Sequence, residues 1–326
     1  GTLTDDGLPV SFASNGRGGD QVGIVGGGAL VVWDTDTSTF STVALPFSGP
    51  VTLTFMDGYA LINEADSPRF WYSALEDMTS WDALDFITRS GTSDNLVSIA
   101  VTRDRLWAFG TLTTTQFYNA GDTDVPFLPY PGTATQIGLV GASALAVDED
   151  TCYWIGASGN GQPRAWRAVD AQPSAISTPA IDGLFGACDP ISTAETLIYE
   201  QAGHMFVIWT LPGSPEAIQT YAYDVRESLW HARASWDSNT GQYLPWRVRG
   251  SVAVGTTILV GDAQDGRLYT LDLTAYDEDG AVIQRERTTP YLSAENQWLF
   301  LDAVELGIQA GVGLSTGQGS DPEVRL

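Results

Sequence analysis

The clearest pattern of apolar and polar positions lies between Asn95 and Asp122. Short apolar runs alternate there with polar turns, which predicts three consecutive β-strands in a meander. Arg103-Asp104 fits a tight turn between the first two strands, and Gly110-Thr111 opens the next bend. A meander of this kind cannot bury its own faces, so it needs neighbours of the same kind. The three predicted strands contain Leu96, Ile99 and Val101, then Leu106 to Gly110, then Thr114 to Tyr118.

The same plan recurs along the chain: an apolar strand, a short turn, a second strand that often ends in Gly, and an aromatic third strand. The first strands begin near residues 8, 51, 96, 142, 196 and 250, so the period is about 43 to 54 residues. Helical periodicity is weak throughout, and the 35 glycines and 16 prolines favour short strands and tight turns. We therefore predict an all-β chain with a β-propeller of about six blades.

The pattern departs from this plan at two places. After a predicted strand at Arg69 to Ser73, the segment LEDMTSWDALDF indicates a loop or a short helix. Beyond Asp277 to Gly280 the repeat stops, and Trp298 to Ile308 alternates as a half-buried strand does. We predict a propeller over residues 1–276 and an incomplete C-terminal β module over residues 277–326, which looks like the start of a β-sandwich.

The charge of the chain bears on its partners. Forty acidic residues against 15 basic ones give a net charge of −25, and every basic residue is arginine. Such a surface argues against a tight, sequence-independent grip on phosphate backbones, which needs clustered Lys or Arg. It suits a protein that stays soluble at high concentration, or one that must not adhere to nucleic acid passing nearby. The lack of lysine is explained more simply by a GC-rich or salt-adapted source.

Cysteine usage points to the compartment of synthesis. With Cys152 and Cys188 as the two cysteines, a disulfide scaffold is excluded and a reducing compartment is favoured. Cys152 precedes Tyr153 and Trp154 in an apolar strand, so a buried, inert thiol is expected. The sequence shows no signal peptide and no apolar run of about 18 residues, which predicts no membrane span. It does not begin with Met, so residue 1 is not expected to be the true N-terminus.

Residue types suited to catalysis are scattered rather than clustered. His204 and His231 are the two histidines, too few for a histidine metal cluster. The acidic runs at Asp34 to Asp36 and at Asp277 to Asp279 do not match a full calcium loop, so solvated turns are favoured. The sequence contains no nucleophile elbow, phosphate loop or zinc-protease motif. We therefore predict no catalytic, cofactor-binding or metal-binding residue and no enzyme activity.

The alternative hypothesis is a propeller that binds or cleaves glycans. Two carboxylates at a suitable separation would support glycoside hydrolysis, but a sequence does not give that separation. The repeated Ser-x-Asp-x-Gly-x-Thr-Trp turns of sialidase-type propellers do not occur. A third hypothesis is an interaction propeller with an unknown partner. The carboxylates weighed for hydrolysis are Glu64, Asp66, Glu76, Asp77, Asp82 and Asp85.

Most of the larger aromatic side chains fall on predicted strands, where we expect them to pack between blades. Three tryptophans lie instead in loop-like contexts, and they are the candidates for an exposed interface: Trp81, Trp236 and Trp246. The aromatic residues expected in the core are Trp71, Tyr72, Trp107, Phe109, Tyr153, Trp154, Phe206 and Trp209.

The order of motifs along the chain adds a resemblance to a known family. The run Arg69 to Ser73 precedes SWDALDF and then the meander from Asn95 to Asp122. This order resembles the tail hub protein of short-tailed bacteriophages, also called the packaged-DNA stabilisation protein. The family pattern matches at Leu106 to Gly110 and at Thr115 to Gly121, although Gln116 stands where Glu is expected. Further matching segments are Pro126-Phe127, Gly138 to Gly141, Tyr153 to Gly156, Ala165 to Arg167, Ile176 to Ile181, Tyr221 to Asp224, Leu229-Trp230, Leu292 to Asn296 and Gly317 to Pro322.

The resemblance implies a structural virion protein, made in the host cytoplasm and located in the phage tail. It implies a hexameric ring below the portal and its adaptor that extends the DNA channel, retains packaged DNA and attaches distal tail proteins. Double-stranded DNA would pass through without specific binding, as expected of a lumen that repels phosphates. Family members extend further at both ends, so we expect a seventh blade or a closing strand before Gly1, and more chain after Leu326.

Overall fold

The computed structural model of the chain describes residues 3–288 except positions 17, 92, 123 and 160, together with positions 298, 300, 302, 303, 305 and 307. The chain divides into two compact units, residues 1–232 and residues 233–326, each described by itself below. Strands dominate the described part of both. Among the described residues, no helix reaches the length and apolarity that a membrane crossing requires.

Residues 1–232 contain four antiparallel meanders of four strands each and most of a fifth sheet. In every one of these sheets the strands lie in chain order. Sheets one and two contain β1 (Ser11–Ser14), β2 (Gln21–Gly26), β3 (Ala29–Asp34), β4 (Thr39–Val43), β5 (Pro50–Met56), β6 (Tyr59–Glu64), β7 (Arg69–Tyr72) and β8 (Phe86–Thr88). Sheets three and four contain β9 (Leu96–Thr102), β10 (Arg105–Gly110), β11 (Thr114–Asn119), β12 (Phe127–Pro129), β13 (Leu145–Asp148), β14 (Thr151–Gly156), β15 (Arg164–Val169) and β16 (Gln172–Ala175).

The fifth sheet follows a helical connection, which consists of the α-helix α1 (Pro179–Ala187) and a 3₁₀ turn at Ile191–Thr193. Its strands are β17 (Glu195–Gln201), β18 (His204–Thr210), β19 (Thr220–Asp224), β20 (Leu229–Asp237) and β21 (Gln242–Pro245). The division between the two units falls within β20.

Residues 233–326 hold the end of β20, which pairs with β21, and a sixth sheet. The sixth sheet contains β22 (Val248–Val254), β23 (Thr257–Asp262) and β24 (Leu268–Thr270). A short hairpin follows, formed by β25 (Asp277–Glu278) and β26 (Ala281–Val282). The strand predicted over Trp298 to Ile308 and the loop beyond it lie largely outside the described residues.

The period-two pattern of the meander at β9 to β11 explains how this sheet buries both faces. Successive strand residues point to opposite faces. Trp107 and Phe109 belong to the apolar cluster shared with sheets four and five. Leu106 and Ala108, the alternate positions, belong to the cluster shared with sheet two. One strand therefore supplies two cores, and this meander is stable only between neighbours of its own kind.

The first strands of successive sheets lie side by side within residues 1–232. Strand β1 contacts β5, β5 contacts β9, β9 contacts β13, and β13 contacts β17. Polar groups tie this row together, because the Oγ of Ser11 donates to the carbonyl of Leu53 at 3.2 Å. The amide of Ile99 donates to the Oγ1 of Thr52 at 3.0 Å. The sheets therefore extend outward from a common row of first strands, which is how propeller blades are arranged.

The predicted positions of the core aromatics agree with the structure at all but one residue. Phe206 is half-buried, and the others are buried: Trp71, Tyr72, Trp107, Phe109, Tyr153, Trp154 and Trp209. The prediction of an all-β chain is confirmed, since the six predicted units coincide with six successive sheets.

The helix α1 was missed by the strand-based prediction. Its start carries a recognisable signal, because the side chain of Thr178 caps the amide of Ile181 at 3.4 Å and Pro179 follows. Its two buried residues, Ile181 and Phe185, stand four positions apart. A helix of nine residues with two glycines gives too short a pattern to show a clear helical period.

Candidate functional site

The ends of the sheets differ in charge within residues 1–232. At one end the chain turns from the first strand to the second and from the third to the fourth, and we call this end the acidic face. Eighteen of the 27 acidic residues of residues 1–232 lie in these turns or at the adjoining strand ends. They are Asp20, Asp34, Asp36, Asp57, Glu76, Asp77, Asp82, Asp85, Asp104, Asp122, Asp124, Asp148, Glu149, Asp150, Asp170, Glu200, Asp224 and Glu227.

Hydrogen bonds show that turns from different strand pairs share this face. The amide of Arg103 donates to the carbonyl of Glu149 at 3.2 Å, which joins the β9–β10 and β13–β14 turns. The amide of Glu76 donates to the carbonyl of Gly58 at 2.7 Å, which joins the β7–β8 loop to the β5–β6 turn. The turns on the acidic face are therefore joined to one another within sheet two and between sheets three and four.

Carboxylates on this face are close enough to affect one another. Burial raises the pKa of Asp148, and the neighbouring charges of Glu149, Asp150 and Glu200 raise it further. Burial raises the pKa of Asp85 as well, with a smaller contribution from Asp82. The face consequently carries a dense negative field rather than isolated charges.

A depression of about 310 Å³ opens on the acidic face between sheets three and four. Its two arginines already have acidic partners: Arg103 lies 3.4 Å from Asp150 and Arg105 lies 3.5 Å from Asp170. The guanidinium of Arg105 also lies 4.8 Å from the ring centre of Tyr130. The lining contains no aromatic side chain that would stack on a sugar ring. It consists of Thr102, Arg103, Asp104, Arg105, Asp150, Val169 and Asp170.

A buried ion pair holds the connection between sheets two and three. The Nη2 of Arg89 lies 2.7 Å from the Oδ1 of Asp94. The Nη1 of Arg89 donates to the carbonyl of Thr113 at 3.0 Å, while Asp94 accepts from the amides of Leu112 and Thr113. Burial opposes ionisation of Asp94, but these hydrogen bonds and the charge of Arg89 outweigh it and lower its pKa to about 2. The pair is an internal clamp rather than a reactive group.

The three tryptophans predicted to be exposed do not lie free in solvent. Trp81 is half-buried, and its Nε1 donates to the carbonyl of Met78 at 2.8 Å. In residues 233–326, Trp236 is half-buried against Tyr243. The expectation of exposure is wrong for Trp246, which is 8% exposed with the Arg233 guanidinium 5.1 Å from its ring centre. A tryptophan in a loop-like sequence still buries its large ring where the loop folds back on a sheet. Their role in an interface stays a prediction.

The remaining candidates for chemistry are held by structural contacts. His204 shares a hydrogen bond of 2.7 Å with Asp224, and no group of three or more metal-ligating side chains occurs among the described residues. Asp34 accepts from the amide and hydroxyl of Thr37, as a capped turn does. Both cysteines are buried and unpaired, and burial raises the pKa of the Cys152 thiol well above its usual range.

The comparisons with known proteins agree with this architecture. The family model described as "Bacteriophage P22 Gp10, beta-propeller" matches residues 1–276. The chain belongs to this family. Membership confirms the β-propeller prediction and the resemblance to phage packaged-DNA stabilisation proteins, and it supports a structural role in a phage. The predicted division at residue 276 into propeller and C-terminal module stays a prediction.

Similar solved structures share the fold at low sequence identity. A proposed 6-phosphogluconolactonase from Bacteroides uniformis matches with a TM-score of 0.50 and 13% identity, over 83% of this chain and 84% of its own. An auxiliary nutrient binding protein from Bacteroides thetaiotaomicron matches with a TM-score of 0.50 and 12% identity, over 80% and 68%. No curated protein sequence matches the chain at a significant level. These likenesses concern the fold and carry no function over to the P22 Gp10-family chain.

Proposed function

We propose that the chain is the hub protein of a phage tail. Six copies form a ring beneath the portal and its adaptor, extend the DNA channel, retain the packaged genome and carry the distal tail proteins. The observation that carries this proposal is the family match over residues 1–276. The protein acts by assembly within the virion and not by catalysis.

The charge of the chain supports passage of DNA without adhesion. Each phosphate contact from a free Lys or Arg adds binding affinity through counterion release. Residues 1–232 contain 27 acidic residues and eight arginines. The arginines in the depression of the acidic face already contact carboxylates, as Arg103 does with Asp150 and Arg105 with Asp170. A wall with this composition repels DNA that lies against it and so leaves it free to slide.

The internal structure supports a structural rather than a reactive role. The Arg89–Asp94 pair is buried and bonded on several sides. The depression on the acidic face offers paired charges and no stacking surface. These features suit a rigid blade assembly that serves as a spacer and attachment point, which requires stability and defined surfaces.

Assembly with a portal–adaptor complex tests the proposal. The purified chain, extended to its full natural length, is mixed with that complex, and the mass of the product is measured by native mass spectrometry. We expect a ring of six copies on one end of the complex. A chain that remains monomeric and unbound under these conditions would contradict the proposed function.

A further inference from the structure

The loop between β7 and β8 holds aliphatic side chains in solvent on the acidic face. Leu84 is 82% exposed and Leu75 is 60% exposed. Val125, 44% exposed, lies on the neighbouring β11–β12 loop. The hydroxyl of Tyr72 connects the two loops by donating to the carbonyl of Asp124 at 3.3 Å. We call residues 74–85, with Asp124 and Val125, the shelf.

The shelf is held in shape by its own hydrogen bonds. The amide of Ala74 donates to the carbonyl of Ser80 at 2.9 Å. The Oδ1 of Asp82 accepts from the amide of Leu84 at 2.8 Å. Met78 is 1% exposed and packs in the apolar cluster shared by sheets one and two, which anchors the loop. A surface fixed in this way loses little conformational entropy on binding.

Acidic residues predominate along the two segments that carry these apolar side chains. The shelf carries five carboxylates, on Glu76, Asp77, Asp82, Asp85 and Asp124. The sequence contains no arginine, lysine or histidine over residues 70–88 or over residues 106–163. The shelf therefore combines three exposed aliphatic side chains with five carboxylates.

We propose that the shelf docks another protein whose contact surface presents lysine or arginine side chains around an apolar centre. Exposed apolar patches with a polar rim mark protein–protein contact sites. Complementary rim charges orient the partner and speed its association. The same surface of a second copy is a poor occupant, because five carboxylates would face five carboxylates.

This inference rests on the proposed function, since a tail hub must carry neighbouring proteins, and it assigns one contact surface and its chemistry. Hydroxyl-radical footprinting distinguishes a failure of the docking surface from a failure of the proposed hub function. The oxidation of Leu75 and Leu84 is compared between the free full-length chain and the chain in intact phage particles. We expect oxidation to fall at least fivefold in the particle. Equal oxidation in both states would overturn the shelf and leave the hub intact, whereas particles without the chain would overturn the hub.

Zero-length carboxyl-to-amine cross-linking identifies the occupant. Residues 1–326 contain no lysine, so a cross-link from a shelf carboxylate to a lysine must end outside these residues, and mass spectrometry of the joined peptides identifies where. We expect cross-links from Asp82, Asp85 or Asp124 to lysines of a different tail protein. Cross-links that run solely to the terminal amine of a second copy would overturn the proposed partner.

Variants with neutralised carboxylates test whether the partner is basic. They also detect a partner that contacts the shelf through arginine, which the cross-linking does not capture. E76Q/D82N keeps the hydrogen-bond acceptor of the Asp82 turn and removes two charges. D66N/E216Q, at the opposite end of the sheets, is the matched control. Purified variants are titrated into particles made without the chain. We expect half-maximal incorporation of E76Q/D82N to need about fivefold more protein, while the control changes less than twofold. Incorporation of E76Q/D82N at the wild-type concentration would overturn a basic partner.

Discussion

The guanidinium of Arg89 lies 2.7 Å from the carboxylate of Asp94 inside the fold, with 0% and 5% of the two side chains exposed. Arg89 follows the last strand of sheet two, and Asp94 precedes the first strand of sheet three. Both side chains also bond to Thr113, which lies between the second and third strands of sheet three. The pair therefore fixes how one blade is connected to the next.

Removal of the cation should destabilise the chain strongly. In R89M the Asp94 carboxylate keeps its buried position and loses its charged partner, which typically costs about 3 to 5 kcal/mol. Urea unfolding followed by tryptophan fluorescence measures the change. R103M is the control, because Arg103 forms an exposed pair with Asp150 whose loss costs at most about 1 kcal/mol. Similar losses in the two variants would contradict the clamp.

The ionisation of Asp94 should appear in the pH dependence of stability. Its pKa falls from 3.8 to about 2 in the folded chain, so its stabilisation is complete above about pH 4 and is lost as the pH falls through about 2. This difference in pKa corresponds to about 2 kcal/mol. The free energy of unfolding is measured for wild type and D94N between pH 7 and pH 2. The difference in free energy of unfolding between wild type and D94N should become smaller below pH 4. A difference that stays constant with pH would argue against an ionised Asp94.

Two glycine-to-alanine substitutions should change the stability of the chain in opposite directions. A Cβ at Gly110 would overlap the Arg89 and Asp94 side chains, so G110A should cost about 1 to 3 kcal/mol. At Gly183 in α1 no atom lies within 4 Å of the added Cβ, so G183A should gain about 0.5 to 1 kcal/mol from its helix propensity. Both are measured by urea unfolding. A neutral G110A would show that the clamp adjusts without cost.

The chain should not bind double-stranded DNA at physiological salt. Its net charge of −25 and paired arginines leave few groups to replace counterions on the phosphates. Fluorescence anisotropy of a labelled duplex at 0.05 M and 0.2 M salt should show no binding at micromolar protein. Tight binding that weakens steeply with salt would reveal a basic surface and would contradict passage without adhesion.

The sheets could be predicted from the sequence because the alternation of apolar and polar residues within a strand is a local pattern. Strand β10 alternates between two cores, so its residues show the period that the structure has. The helix α1 escaped detection because nine residues with two buried positions give little periodicity, although Thr178 and Pro179 mark its start.

The surfaces were harder to predict because they depend on how loops fold. Nothing local distinguishes Trp246, which is buried, from an exposed loop tryptophan. The opposite case is Leu84, an aliphatic residue that is 82% exposed while Met78 of the same loop is buried. Arg89 and Asp94 lie five positions apart, yet Thr113, the residue that completes their cluster, lies on a hairpin further along the chain. Such sites follow from tertiary packing.

Electron cryomicroscopy of phage particles that contain the chain shows where the chain lies in the virion. We expect six copies in a ring below the portal and adaptor, around the axis along which the DNA leaves. Density for the chain on the capsid surface, or its absence from particles that are otherwise complete, would contradict it.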